Sequence, residues 1–411
     1  MRRIAGASEN LRGFRDRLFG ENNHLFGERN IPMSNAKSLK MMTEFQHLDN
    51  LLDAKASFEK MHPGVVITIE QAADHAESHR ALQSDEAPDI VESGGWSIFN
   101  RKGLFVDLLP HVEETPGLKE DLNPGVMRVA SKDGALTGLP VDVALPLILY
   151  KRELFDKAGI PYPQEGWTWE EMMETAKKLT QRNEQGVATQ FGFGFGVDVE
   201  EIEPFVMRNG GRYVSPDGTT ARGYADQLPV IEAYRMLIDA YRVHRVIRRP
   251  GEPSEAGELH EGFALIFGFA WFAGAVVRYG LEDKYGVVGL PRMPGGENAN
   301  MIYMGAAGIS AKSPNRELAW AFLRHYVLER PEAFRHANTL PITKSLAERS
   351  GYTDNPVWRR FIEEMDVVQP SGFYLSERWN SSRQLINEEI IRMINEGADV
   401  AQTIRGWTRF G

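Results

Sequence analysis

Leu39 to Ile69 reads as strand, helix and strand in succession, and that order limits the kind of sheet this chain can build. Leu39–Thr43 is a short apolar strand. Leu48 to Met61 carries Leu48, Leu51, Leu52 and Phe58 at helical spacing. His62-Pro63-Gly64 stops this helix, because proline cannot continue it and glycine accepts the reversed backbone. Val65–Ile69 is then a β-branched strand. Two strands joined through a helix imply a parallel sheet with helices on its faces. Ala87-Pro88-Asp89-Ile90-Val91 opens another strand that ends in Ser93-Gly94-Gly95-Trp96. Open α/β sheets bind ligands at the carboxyl ends of their strands. The loops Glu44-Phe45-Gln46 and Ser93–Trp96 are therefore the first candidates for a site.

A chain of 411 residues is too long for one hydrophobic core, so two domains of roughly 150–200 residues each are expected. With 42% apolar and 25% charged residues it falls among ordinary globular proteins. A net charge of -10 argues against a nucleic-acid partner, which requires a basic surface, and against an anionic membrane surface. The absence of cysteine excludes disulfides, thiolate nucleophiles and Cys-ligated zinc, but leaves the compartment open. Residues 1–37 carry a local excess of +3 and read as a polar, basic, mobile arm. Glu9, Arg12, Arg15, Asp16 and Arg17 interrupt any apolar run there, so neither a secretory signal nor a lipid-anchor cysteine is expected. Gly262–Val277 is uncharged, but at 16 residues it falls short of the ~20 needed to cross a membrane. It reads as a buried strand running into a short helix.

A second signature occupies 139–180. Leu139 to Pro146 is extended and apolar with one carboxylate, Asp142, in its middle, and flows into Leu147-Ile148-Leu149-Tyr150. A short helix, Arg152–Ala158, ends at Gly159. Thr168 and Glu171 form a capping box ahead of a helix running Glu170 to Leu179.

The segment GLPVDVALPLILYKRELFDKAGIPYPQEGWTWEEMMETAKKLT resembles the central signature of the family 1 extracellular solute-binding proteins of ABC importers, the group that contains the maltodextrin binders. FEKMHPGVVITIE, EAPDIV, HEGFALIFGFAW and YGVVGLPRMPGGENANMIYMGAAGISAKSPNRELAWAFLRHYV resemble further stretches of that family in the same order. The resemblance covers roughly 38–411. It implies an α/β, two-lobed periplasmic-binding-protein-like fold of type II, with the ligand cleft between lobes joined by hinge strands. Lobe one is expected at 38–141 plus 296–345, and lobe two at 142–295 plus 346–411.

By the same resemblance Trp271 follows a second-lobe strand where the family often places a sugar-stacking aromatic. Trp379, beside Arg378, heads a C-terminal helix where the maltodextrin binders also carry tryptophan. Asp142 stands at the hinge, and Tyr303 and Gly305 lie on the return strand facing the cleft. The chemistry of the residues agrees: a pyranose offers an apolar C–H face to a flat aromatic and a rim of hydroxyls to polar side chains. Aromatics adjoining polar residues occur at Trp96, Trp271-Phe272, Tyr303 and Trp379. Glu44 and Gln46 supply polar groups from the first loop. Trp167, Trp169, Trp320 and Trp358 are assigned to packing.

Enzymatic readings find little support. No G-x-S-x-G or G-x-x-x-x-G-K-[ST] motif occurs. Phe191 to Gly196 alternates phenylalanine and glycine, which puts three rings on one face of a strand and not a dinucleotide loop. His75 and His79 lack the glutamate placement of H-E-x-x-H, and they read as surface residues. The expectation is a non-catalytic, monomeric carbohydrate binder without metal or cofactor, delivering a mono- or oligosaccharide to an ABC import permease outside the cytoplasm. The alternatives are a cytoplasmic sugar-sensing domain of a regulator and a binder of a non-sugar solute.

Overall fold

Ten strands among the described residues hydrogen-bond into two five-stranded sheets. The computed structural model describes residues 37–46, 48–94, 98–257, 259–334 and 338–411, without the side chains of Leu259 and His260. The basic arm up to residue 36 and Trp96 therefore lie outside the described residues.

The first sheet has the order β2-β1-β3-β10-β4, from Lys37–Thr43 (β1), Val65–Gln71 (β2), Ile90–Ser93 (β3), Leu139–Ala144 (β4) and Tyr303–Ile309 (β10). β1 runs parallel to β3, and β10 runs antiparallel to both β3 and β4. The helix Asp49–Met61 buries Leu51, Ala54 and Phe58, the stripe that its apolar spacing predicts. The second sheet has the order β6-β7-β8-β5-β9, from Pro146–Lys151 (β5), Gln181–Arg182 (β6), Ala188–Gly194 (β7), Phe263–Phe269 (β8) and Tyr285–Val288 (β9). β7 and β8 are parallel, while β5 is antiparallel to β8 and β9. The uncharged run at 262–277 is β8 followed directly by the helix Ala270–Arg278, the strand and helix expected of it.

Local signals are obeyed closely. The helix Arg152–Ala158 ends at Gly159, and the capping box of Thr168 and Glu171 opens the helix Trp169–Leu179. Trp167, Trp169, Trp320 and Trp358 are all buried. The phenylalanines of 191–195 divide their packing: Phe191 stacks on Phe263, and Phe193 on Phe195.

The chain passes between the sheets with little slack. Only Leu145 separates β4 from β5, so one extended strand leaves the first sheet and enters the second. β4 stays in the first sheet as far as Ala144, beyond the expected division at 141/142. The return from β9 to β10 carries buried Asn300, whose Nδ2 donates to the Pro146 carbonyl at 2.9 Å and thereby ties the two crossings together. After the helix Pro356–Glu364, the turn Met365–Val367 lies on the helix Pro124–Ala130. A Cβ on Gly125 would stand 1.9 Å from the Met365 carbonyl oxygen, so only glycine permits that approach.

Candidate functional site

Parallel pairing of β1 with β3 brings their carboxyl ends to one edge of the first sheet. There Glu92 is buried, accepting hydrogen bonds from the hydroxyls of Thr43 (2.6 Å) and Tyr326 (2.7 Å). Burial, reinforced by the nearby carboxylates of Asp142 and Glu44, pushes its carboxyl up to about 7. Glu44 follows on β1. It accepts from Ser93 Oγ at 2.7 Å and pairs with His75, while its Oε1 is buried without a hydrogen-bond partner among the described residues. His75 begins a helix capped by Asp74, and its imidazole serves that pair.

Asp142 owes its position to an irregularity in β4. Tyr303 pairs with Ala144 but Gly305 pairs with Val141, so β4 has one residue more than β10 between those pairs. Asp142 takes up the difference with φ 51°, a left-handed conformation that aspartate tolerates better than most residues. The bulge leaves its side chain exposed in an otherwise buried strand, and partial desolvation holds its carboxyl above the usual range.

The second sheet contributes aromatic rings. At the end of β8, Phe269 is buried and Trp271 is 46% exposed; their rings stack at 4.3 Å and 15°. Tyr303, at the start of β10 in the first sheet, lies 5.1 Å from Phe269 and 6.0 Å from Trp271. The six other described tryptophans are buried. A groove of about 580 Å³ beside this platform is lined by Phe195, Glu201, Arg248, Arg249, Trp271 and Phe272, among others. Burial raises the Glu201 carboxyl to about 7. A groove of about 660 Å³ between Thr115–Asp121 and the helix Arg316–Leu328 has no aromatic lining and offers no comparable platform.

Comparison with known proteins places this arrangement. The family of bacterial extracellular solute-binding proteins matches residues 42–330. The chain belongs to that family. A binding protein of Brucella abortus is 24% identical over 325 residues, covering 74% of this chain and 75% of the relative. The sn-glycerol-3-phosphate-binding periplasmic protein of Agrobacterium fabrum is 24% identical over 330 residues, with 78% and 66% covered. Among solved structures, the sugar-binding protein MalE from Xanthomonas citri superimposes with a TM-score of 0.78 at 16% identity, covering 91% of this chain and 96% of that one. The two sheets are thus the two lobes of a periplasmic solute-binding fold, joined by the crossing strands.

Within this solute-binding protein the sequence candidates separate into groups. Glu44, exposed Gln46 and Asp142 belong to the first lobe; Trp271 and Phe272 follow β8 in the second, and Tyr303 meets Trp271 from the first. Gly305 is buried beneath Phe45: a Cβ there would lie 2.9 Å from that ring and 2.7 Å from the Ser93 carbonyl oxygen. Its smallness serves the packing of β10 on β3. Trp379 is 0% exposed. Ser376 caps the helix Glu377–Ser381 and turns the indole inward onto Tyr213, 4.9 Å away. Arg378 points elsewhere, donating to the Arg409 carbonyl at 2.7 Å. Position at a helix head cannot tell which way the third residue faces, and here it faces the core.

Three contributors escape the sequence reading. Phe269 stands two residues before Trp271, and strand alternation could have found it. Glu200 and Arg383, which pair with each other in the second lobe, are 183 residues apart and leave no local signal.

Proposed function

We propose that this solute-binding protein takes up a saccharide between its lobes and passes it unaltered to the permease of an ABC importer. The observation that carries this reading is the half-exposed Trp271, stacked on Phe269 and flanked by Tyr303 of the opposite lobe. A soluble protein has little reason to leave an indole in water unless something else covers it. A pyranose face fits on that ring, and Glu44, Gln46 and Asp142 are the acceptors for its hydroxyls. The unpartnered Glu44 Oε1 fits such a role, since a buried acceptor without a donor is costly. The protein acts as a monomer outside the cytoplasm, with lobes dividing near Leu145 and within 289–302. Ligand touching both lobes closes them by its differential affinity for the closed form. Among the described residues no helix is long and apolar enough to cross a membrane.

A thermal-shift screen tests this. A cognate saccharide at a hundredfold excess over its Kd stabilises the fold by about 2.7 kcal/mol. The Agrobacterium relative makes glycerol 3-phosphate the necessary comparison ligand. A shift with that compound and with no sugar replaces the carbohydrate reading by a phosphorylated polyol. Trp271→Ala is expected to weaken binding of whichever sugar scores by about tenfold or more, at nearly unchanged stability. Calorimetry checks both halves; intact affinity removes Trp271 from the site.

A further inference from the structure

We propose that the groove beside Trp271 holds an anionic group of the solute, a carboxylate or a phosphate, on the guanidinium groups of Arg248 and Arg249. The proposal deepens the reading above and rests on it in seating the solute against Trp271.

The groove opens at the carboxyl ends of β7 and β8, two parallel strands of the second sheet, where an open α/β sheet takes its ligands. Phe195 lines it just past β7, and Trp271 and Phe272 just past β8. The Phe193 N–H donates to the Val246 carbonyl at 3.0 Å, which ties the segment leading to Arg248 onto β7. Arg248 and Arg249 thereby line the same groove as Trp271.

Both guanidinium groups are short of partners. Each carries five N–H donors. Among the described residues the Arg248 side chain makes one long hydrogen bond, from Nε to the Glu252 carbonyl at 3.4 Å, and pairs with no carboxylate. The Arg249 Nε is buried without a hydrogen-bond partner among the described residues and stands 3.6 Å from the Glu252 carboxylate. That carboxylate is shared, since Arg182 lies 3.6 Å and Arg245 3.4 Å from it. The next carboxylate along the segment, Glu255, is turned to Asn183 Nδ2 at 3.2 Å. Four arginines thus crowd one carboxylate in a chain whose net charge is -10. Solubility does not call for such a patch, because the chain as a whole is acidic. Like charges so placed repel one another. An oxyanion, which a guanidinium takes through two parallel N–H bonds, relieves the repulsion. Glu201 lines the groove against Gly196, where a Cβ would stand 3.1 Å from its Oε2. An acidic saccharide on Trp271 can use both features, its hydroxyls meeting Glu201 and its anion the arginines.

Calorimetry at pH 6, where the Glu201 carboxyl is mostly protonated, compares matched sugars: galactose with galacturonate, and glucose with glucuronate and with glucose 6-phosphate. The acidic member of a pair is expected to bind about tenfold more tightly, and Arg248→Gln to remove that preference. Arg222→Gln, the same charge change on an exposed arginine outside the groove lining, should keep it. The member that scores tells carboxylate from phosphate. A ligand-free measurement decides the matter if none of these sugars binds. Trp271 is the exposed tryptophan among the described residues, and subtracting a Trp271→Phe partner isolates its fluorescence. At constant ionic strength, and normalised to free N-acetyltryptophanamide, iodide should quench Trp271 about twofold more strongly than caesium. Arg248→Gln should erase that excess. Neutral sugars binding as tightly as acidic ones, a preference that survives Arg248→Gln, or caesium quenching as well as iodide overturns the proposal. Equal binding within the pairs would leave the saccharide reading standing. A response to glycerol 3-phosphate and to no sugar, lost in Arg248→Gln, would leave the anion site standing instead.

Discussion

Replacing Glu364 by glutamine is expected to destabilise the fold by about 3–5 kcal/mol, the range found when one partner of a buried ion pair is removed. Glu364 is 2% exposed and takes Arg208 Nη2 at 2.5 Å, Arg360 Nη2 at 2.9 Å and Asn300 Nδ2 at 3.1 Å. Arg208 is also buried; among the described residues its side chain has, apart from Glu364, only the Leu290 carbonyl, at 3.0 Å, and its Nε has no hydrogen-bond partner. Removing the negative charge strands that guanidinium in the interior. Arg360 is less exposed to the loss, because Glu165 and Glu363 also pair with it. The position matters as much as the burial, since Asn300 joins this cluster to Pro146 at the crossing of the two hinge segments. Replacing both ions, Arg208→Met with Glu364→Leu, should recover most of the loss, because well-packed apolar residues avoid the desolvation that the pair must offset. Urea unfolding of the single and double variants is the measurement. A double variant no more stable than Glu364→Gln would mean that the charges hold the hinge geometry itself.

The hinge cluster also marks where sequence reading stops. Strands, helices and their ends were legible because period, caps and breakers act within a few residues: Thr168 with Glu171, Gly159 after Ala158, and the run into Ala270 all behave as their neighbours dictate. The family signature supplied the pairing of lobes. The exposure of Trp271 was legible from its place just past the end of β8, whereas the burial of Trp379 was not, since capping by Ser376 rotates it inward. Gly305 looked like a residue facing ligand, but its neighbour Phe45 comes from a loop 260 positions earlier. Arg208 and Glu364 are 156 residues apart, and neither stands in a pattern that names the other. Partners of this kind are chosen by tertiary packing, and only coordinates reveal them.

Stability is expected to fall as pH rises from about 4.5 to 7, and Glu92 carries a separable share of the fall. Its carboxyl titrates near 4.5 when exposed and is raised to about 7 in the fold. The folded state therefore binds the extra proton in that window, so the contribution is complete below the lower value and is lost as pH passes the upper one. A shift of this size corresponds to about 3 kcal/mol. The groups facing Glu92 explain the sign. The hydroxyls of Thr43 and Tyr326 favour the ionised form, but burial together with the carboxylates of Asp142 and Glu44 opposes it more strongly. Glu92→Gln keeps the shape and can still accept a hydroxyl while never acquiring the charge. Its stability relative to the unmodified chain is thus expected to improve by about 3 kcal/mol between pH 4.5 and pH 8. Glu201, also raised to about 7, falls away in both chains and cancels in the difference. Urea unfolding of both proteins across this range measures the difference directly. Parallel curves would mean that the fold leaves the Glu92 carboxyl unshifted, and the first lobe would then hold an ionised Glu92 behind Glu44 and Asp142 across this range.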